Sequence, residues 1–176
     1  LINENGTIIF EEPYLGAMYS KISYDQIYDE HIYMFSASSI KKIWNLYNYQ
    51  LIDAIPQITH GGSMRYVIKK GLKQKMSTRL KKILKDEKIK SINTIKGCLI
   101  FKKKVEKSKK NLIKKISRLK KNGHSICGYG ATSKSTTILN YCQINTESID
   151  CIFDTTKDKI NKFSPGMHIP IIDYKY

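Results

Sequence analysis

No apolar run in this chain is long enough to cross a bilayer, so a membrane-spanning protein is not expected and a soluble, cytoplasmic one is. The amino terminus lacks a secretory signal, since Leu1 leads directly into a turn and a strand. Leu1 is also not an initiator methionine, and residues 169–176 read as a new strand that stops without a following helix. Both ends suggest a truncated reading frame. Metal-ligand spacing is missing too. Cys98, Cys127, Cys142 and Cys151 contain no C-x-x-C pair, and no histidine is placed to complete a zinc site. Reduced, buried thiols of a cytosolic protein are the simplest account. Asn5-Gly6-Thr7 matches a glycosylation sequon, but without a secretory signal it reads as a turn.

Acidic residues are scarce. There are 15 of them against 31 basic ones, a net charge of +16 in 176 residues. Such an excess invites a nucleic-acid partner. The lysines, however, fall mostly between Lys69 and Lys121, on sequence that reads as solvated helix. No aromatic-interleaved basic groove, RNA-binding signature or helix-turn-helix signature accompanies them. Lys, Ile, Asn and Tyr are abundant together, as an AT-rich coding bias would produce, so nucleic acid is not the expected partner. With 41% hydrophobic and 26% charged residues the chain can bury a core.

What is present has an α/β pattern. Residues 7–11 form a short apolar run and read as a buried strand of a parallel sheet. Residues 12–36 are polar, aromatic and irregular, a loop length that usually accompanies a function. Ser38 can cap a helix over 39–47. Strands follow at 51–56 and 64–69, antiparallel because the turn between them is short. Lysine-rich helices are expected at 73–86 and 99–121. The second repeats Leu112, Ile113, Ile116 and Leu119 at helical spacing and ends at Asn122-Gly123. A βαβ unit closes the chain: strand 124–127, glycine loop 128–133, helix 133–141 and strand 149–153, ending at Asp154. The domain boundary is expected between Lys70 and Ser91.

The densest chemical cluster runs from Tyr24 to Ser36 and contains Tyr28, Glu30, His31 and Tyr33. Histidine changes charge nearest neutral pH, so His31 can accept a proton. A neighbouring carboxylate can orient the imidazole or raise its basicity. Tyrosine hydroxyls can donate to a developing enolate oxygen. By itself a Glu-His pair in a loop is more often structural than catalytic. A second motif, Gly128-x-Gly130-x-x-Ser133-Lys134-Ser135, follows a strand and opens a helix, the setting in which backbone N–H groups bind phosphate. Ser133 stands where a dinucleotide fingerprint needs its third glycine and where a P-loop needs glycine before Lys-Ser. Asp154 lies where a ribose-binding acid could sit. A tight glycine turn and an anion site both remain open here. His60-Gly61-Gly62-Ser63 reads as a demanding hairpin turn. His124 reads as structural, His168 has no assigned role, and Trp44 with Ile40, Ile43 and Tyr47 reads as core.

Taken in order, several segments resemble the S-adenosylmethionine-dependent sugar C-methyltransferases, which act on nucleotide-linked keto-deoxysugars. Tyr28, Glu30, His31, Tyr33 and Ser36 resemble that family's Y-x-E-H-x-x-Y-F-S segment. Phe10-Glu11-Glu12-Pro13-Tyr14-Leu15 resembles its E-x-P-Y-L stretch, and His60-Gly61-Gly62-Ser63-Met64-Arg65 is similar to H-G-G-S-x-R. Gly128-Tyr129-Gly130-Ala131 with Lys134 and Leu139-Asn140-Tyr141 resembles G-Y-G-A-x-x-K…L-N-Y, and Pro165-Gly166 with Ile169-Pro170-Ile171 resembles P-G-x-x-I-P-I.

The resemblance implies that residues 1–72 are the last strands of a Rossmann-like methyltransferase domain. Residues 73–176 would be a second Rossmann-like α/β domain, cut short at its end. It implies His31 as base, Glu30 as its orienting partner and Tyr28 as a hydrogen-bond donor to the sugar or its enolate. Tyr14, Tyr33, Gly128, Gly130, Ala131 and Lys134 would bind the substrate, with the glycine loop facing its diphosphate or nucleotide. The donor, S-adenosylmethionine, would bind mostly in a missing amino-terminal part, where the family's zinc domain would also lie, and the fragment alone would be inactive. A nucleotide- or dinucleotide-binding α/β module and a basic nucleic-acid-binding protein are the competing expectations.

Overall fold

The computed structural model describes residues 3 and 5–175. Leu1 and Tyr176, on which the expected chain ends rest, lie outside the described residues. The fold is mixed α/β. Contacts divide the chain into two units, Leu1–Ser23 with Tyr33–Lys103 and Tyr24–Ile32 with Lys104–Tyr176. Among the described residues no helix is long and apolar enough to cross a membrane.

In the first unit, β1 (Thr7–Pro13), β2 (Tyr49–Gln57) and β3 (Ser63–Lys70) form a three-stranded sheet in the order β1-β3-β2. The short turn after β2 makes β3 antiparallel to it, as expected. The expected parallel partner for β1 is corrected: β1 pairs antiparallel with β3. Its apolar run misled because β1 is not buried on both faces; burial alternates along it and Ile9 is 59% exposed.

The stretch read as irregular contains α1 (Leu15–Lys21). This helix has no apolar period long enough to announce itself, and tertiary contacts pin it. The Leu15 N–H donates to the Phe35 carbonyl at 2.8 Å. Gly16 leaves room for the Tyr14 ring, since a Cβ there would lie 2.4 Å from Tyr14 Cζ. The next helix, α2 (Ala37–Asn45), starts earlier than expected because Ser36, not Ser38, is its cap. The Ser36 hydroxyl accepts from the Ser39 N–H at 3.0 Å, and the Ser39 hydroxyl accepts from the Ser36 N–H at 2.9 Å, a reciprocal capping box.

The lysine-rich segments form α3 (Thr78–Lys90) and α4 (Ile95–Lys121). Glu87 of α3 is 3% exposed and sits at the first turn of α2. Its carboxylate accepts from the Ala37 N–H at 2.7 Å, the Ser38 N–H at 2.9 Å, the Tyr14 hydroxyl at 2.9 Å and the Ser38 hydroxyl. A negative group there answers the unpaired N–H groups and the positive end of the helix. The core around it is Ala37, Ile40, Leu51, Ala54, Met64, Tyr66, Ile68 and Leu80, with Trp44 packed at its side.

In the second unit, β4 (Cys127–Tyr129), β5 (Cys151–Asp154) and β6 (Ile171–Asp173) form a parallel sheet in chain order, with α5 (Ser133–Cys142) between β4 and β5. The expected strand over 124–127 begins later. Asp150 accepts from the Ser125 hydroxyl at 2.6 Å and the Ile126 N–H at 2.9 Å, and the His124 N–H closes α4 on the Leu119 carbonyl. Leu139, Ile144, Ile149, Ile152, Ile169 and Ile171 fill the core, with Leu112 and Ile116 of α4 against them.

Replacing Glu87 by Ala is expected to destabilise the first unit by roughly 3 kcal/mol, because buried donors lose a charged acceptor. Urea unfolding followed by circular dichroism measures it. A change within experimental error would mean that the Glu87 carboxylate does not hold α2 in place.

Candidate functional site

The segment Tyr24–Ile32 belongs to the second unit through Tyr24. Tyr24 is 7% exposed, its ring lies 5.4 Å from that of Tyr141 on α5, and its hydroxyl is 3.6 Å from Cys142 Sγ. One helical turn beyond this anchor, the chain folds back so that the His31 N–H donates to the Tyr28 carbonyl at 2.9 Å. The two rings then meet edge to face, with centroids 4.8 Å apart. Burial raises the Tyr28 phenol above its ordinary pKa, and the charge of Glu30 with a hydrogen bond to it adds to the rise. The phenol therefore stays protonated and able to donate at neutral pH. Among the described residues no ion pair joins Glu30 to His31.

The glycine loop after β4 is held from both sides. Gly130 has φ +87°, a conformation that favours glycine, and its N–H donates to the Phe153 carbonyl at 2.7 Å. Asp154, 7% exposed at the end of β5, accepts the Ala131 N–H at 2.7 Å and the Thr156 N–H at 2.8 Å. Lys159 donates to the Ala131 carbonyl at 2.8 Å. Thr132 caps α5 and exchanges reciprocal bonds with Ser135, which takes the Thr132 N–H at 2.8 Å. Of the N–H groups expected to face an anion, those of Ala131 to Ser133, the first two already have acceptors within the protein. The two hydrogen bonds from Thr156, then that from Ala131, hold the Asp154 carboxyl down at about 2.

Beside this loop lies an open pocket of about 720 Å³. Tyr28 and Asp29 line one wall, Thr132, Ser133, Thr136 and Asn140 another, and Lys162, Phe163 and Pro165 a third. Phe163 is 63% exposed, a large apolar ring offered to a ligand. Asn140 ties two walls together, donating to the Thr136 carbonyl and the Pro165 carbonyl, each at 2.9 Å. A side chain at Gly166 would meet Asn140 Oδ1 at 1.9 Å, which accounts for the glycine after Pro165. Hydroxyls, an amide, a phenol, an aromatic face and lysines are suited to a polar ligand that is part flat ring and part hydroxylated. Among the described residues no cluster of three or more His, Cys, Asp or Glu could hold a metal ion.

Of the residues singled out from sequence, Tyr28 and Ala131 line this pocket; His31 packs on Tyr28, and Glu30 is exposed beside it. Gly128 and Gly130 serve the strand and the turn, and Lys134 is half-buried on α5 outside the lining. Tyr14 and Tyr33 lie in the first unit. The hydroxyl of Tyr14 donates to Glu87, while Tyr33 is 73% exposed with its ring 6.3 Å from Phe35. Sequence reasoning missed Thr136, Asn140, Lys162 and Phe163 as lining residues. Only Asn140, within Leu139-Asn140-Tyr141, stood in a motif that could have flagged it.

The family model of the C-methyltransferase C-terminal domain matches residues 58–176. C-methyltransferase NovU of Streptomyces niveus is 24% identical over 172 residues, covering 97% of this chain and 41% of that protein. The chain thus spans about two fifths of the length of the relative it matches.

Because the folded Asp154 carboxyl titrates at about 2, below its usual 3.8, its contribution to stability is present above pH 3.8 and is lost as pH falls through about 2. The stability difference between the parent and Asp154→Asn is therefore expected to narrow as pH is lowered across that window. Thermal unfolding at a series of acidic pH values reads it. A difference that stays constant would show that Asp154 does not hold the loop as a carboxylate.

Proposed function

Because the chain belongs to the C-methyltransferase C-terminal domain family, we propose that it is the carboxy-terminal part of an S-adenosylmethionine-dependent C-methyltransferase acting next to the ketone of a nucleotide-linked deoxysugar. One observation carries this reading. Three segments far apart in the sequence, each within a stretch resembling the sugar C-methyltransferases, line a single pocket: Tyr28 with Asp29, Ala131 with Asn140, and Ser164 with Pro165. The pocket's hydroxyls, amide and exposed aromatic ring suit a sugar joined to a nucleotide.

In this reading residues 1–72 are the end of a Rossmann-like methyltransferase domain and residues 73–176 a second Rossmann-like α/β domain. The sheet of the first unit supports the former: β3 lies antiparallel between β1 and β2, and β1 leaves Ile9 largely exposed. The parallel β4-β5-β6 sheet with α5 supports the latter. These residues do not fit the methyl donor. The glycine loop after β4 has the Ala131 N–H engaged by Asp154, the Gly71 N–H after β3 donates to the Asn48 carbonyl, and Gly61-Gly62 turns between antiparallel strands. The donor site, like a zinc domain, is assigned to sequence beyond this chain. When bound, the donor supplies an electrophilic methyl group.

The residues present would handle the proton. A ketone makes the neighbouring C–H acidic. His31 takes that proton on a ring nitrogen, and the Tyr28 phenol donates to the enolate oxygen that forms. Glu30, beside His31 in the chain, is the candidate to orient the base, and its charge helps keep the Tyr28 phenol protonated. Tyr14, Tyr33, Gly128, Gly130 and Lys134 retain a substrate role only as secondary candidates. A dinucleotide-binding module is the weaker reading, because the acid that would take a ribose hydroxyl, Asp154, is engaged by the loop.

In the longer enzyme, exchange of the sugar's acidic C–H with deuterated solvent, with the donor omitted, isolates the proton step. His31→Asn is expected to slow this exchange by about two to four powers of ten, with Glu30→Gln and Tyr28→Phe costing less. Exchange at the parent rate in His31→Asn would remove His31 as the base.

A further inference from the structure

Cys127 and Cys151 face each other across β4 and β5 as a register pair. Their sulfurs are 3.2 Å apart. Cys127 is exposed, and Cys151 is 9% exposed. Alternation along a strand puts both on the sheet face opposite Ile152, which packs into the core. Paired residues on neighbouring strands have backbones about 4.8 Å apart, inside the range of about 4.4–6.8 Å that a disulfide spans. Neither of the other two cysteines offers such a pair: Cys98 is exposed on α4, and Cys142 is buried against the Tyr24 hydroxyl.

We propose that Cys127 and Cys151 form a dithiol modification site that reacts with hydrogen peroxide and closes to a cross-strand disulfide. The proposal stands apart from the functional reading above and does not depend on it. The exposed sulfur acts first. The Cys127 thiolate attacks one peroxide oxygen, the O–O bond breaks, and the departing hydroxide is protonated to water by the proton the thiol gave up. Cys127 is then a sulfenic acid. The sulfur of Cys151 attacks Cys127 Sγ, the S–O bond breaks, and the oxygen leaves as water with the proton of Cys151. Two thiols lose two electrons and two protons, and one peroxide becomes two waters. Burial pushes the Cys151 thiol up to about 11, with the hydrogen bond it donates to Cys127 adding to the rise, which suits the resolving rather than the attacking role. With Cys127 exposed, an external thiol can reach the disulfide and reopen it by exchange, so the modification is reversible.

The test treats the chain carrying Cys98→Ser with hydrogen peroxide and maps disulfides by tandem mass spectrometry without reduction. The expected product is a Cys127–Cys151 link within one molecule, lighter than the dithiol by two hydrogens and reopened by dithiothreitol. In Cys151→Ser, peroxide should instead carry Cys127 on to the sulfinic acid. Phenylarsine oxide, which bridges paired thiols, should bind once per chain and lose that binding in either single variant. Recovery of both thiols in alkylatable form after peroxide, over-oxidation of Cys127 with Cys151 still present, or no arsenical binding would each overturn the proposal.

Discussion

Asp154 ends β5 with its carboxylate turned back towards the neighbouring loop, where it receives the Ala131 and Thr156 N–H groups. Everything at the candidate site follows from that placement. Ala131 is gripped at its N–H by Asp154 and at its carbonyl by Lys159, so the turn after Gly130 has one conformation. That conformation starts α5 at Thr132 and sets Thr136 and Asn140 towards the pocket. Asn140 in turn holds the Pro165 carbonyl, which positions the wall beside Phe163. The rigidity is bought with a carboxylate where a phosphate could have bound, which occupies the Ala131 N–H and leaves the pocket beside the loop to take a ligand.

The same economy of acids runs through the chain. Only 15 acidic residues stand against 31 basic ones. Glu87 closes the amino end of α2, and Asp150 receives the chain leaving α4. Asp53 accepts from the Ala54 N–H and the Ser77 hydroxyl. Glu11 gathers Thr59, Ser63 and Arg65 at the turn between β2 and β3. Each meets backbone or hydroxyl donors that a lysine could not serve. The scarce acids organise the structure, while many lysines of α3 and α4 lie on exposed helix.

How much of this was legible differs by element. The antiparallel β2–β3 pair, the βαβ unit and its loop were readable, because turn residues and periodicity act locally. The partner of β1 was not, since a five-residue apolar run looks the same on an edge as in the middle of a parallel sheet. Helix α1 was hidden because its stability comes from Phe35 and the Tyr14 ring, distant in sequence or invisible to periodicity. Tyr28 was found through its chemistry and its motif. Phe163 and Lys162 were not, because nothing local distinguishes an exposed phenylalanine beside a lysine from ordinary surface.

The account turns on the pocket between Tyr28, Asn140 and Phe163 being where the acceptor sits. Nuclear magnetic resonance of the chain, titrated with a nucleoside diphosphate sugar, tests this directly. The side-chain amide of Asn140 and the rings of Tyr28 and Phe163 are predicted to shift in a saturable way, while the Trp44 indole, packed against the core of the other unit, stays unmoved. Saturable shifts confined to residues away from this pocket, or no shift at millimolar ligand, would contradict it.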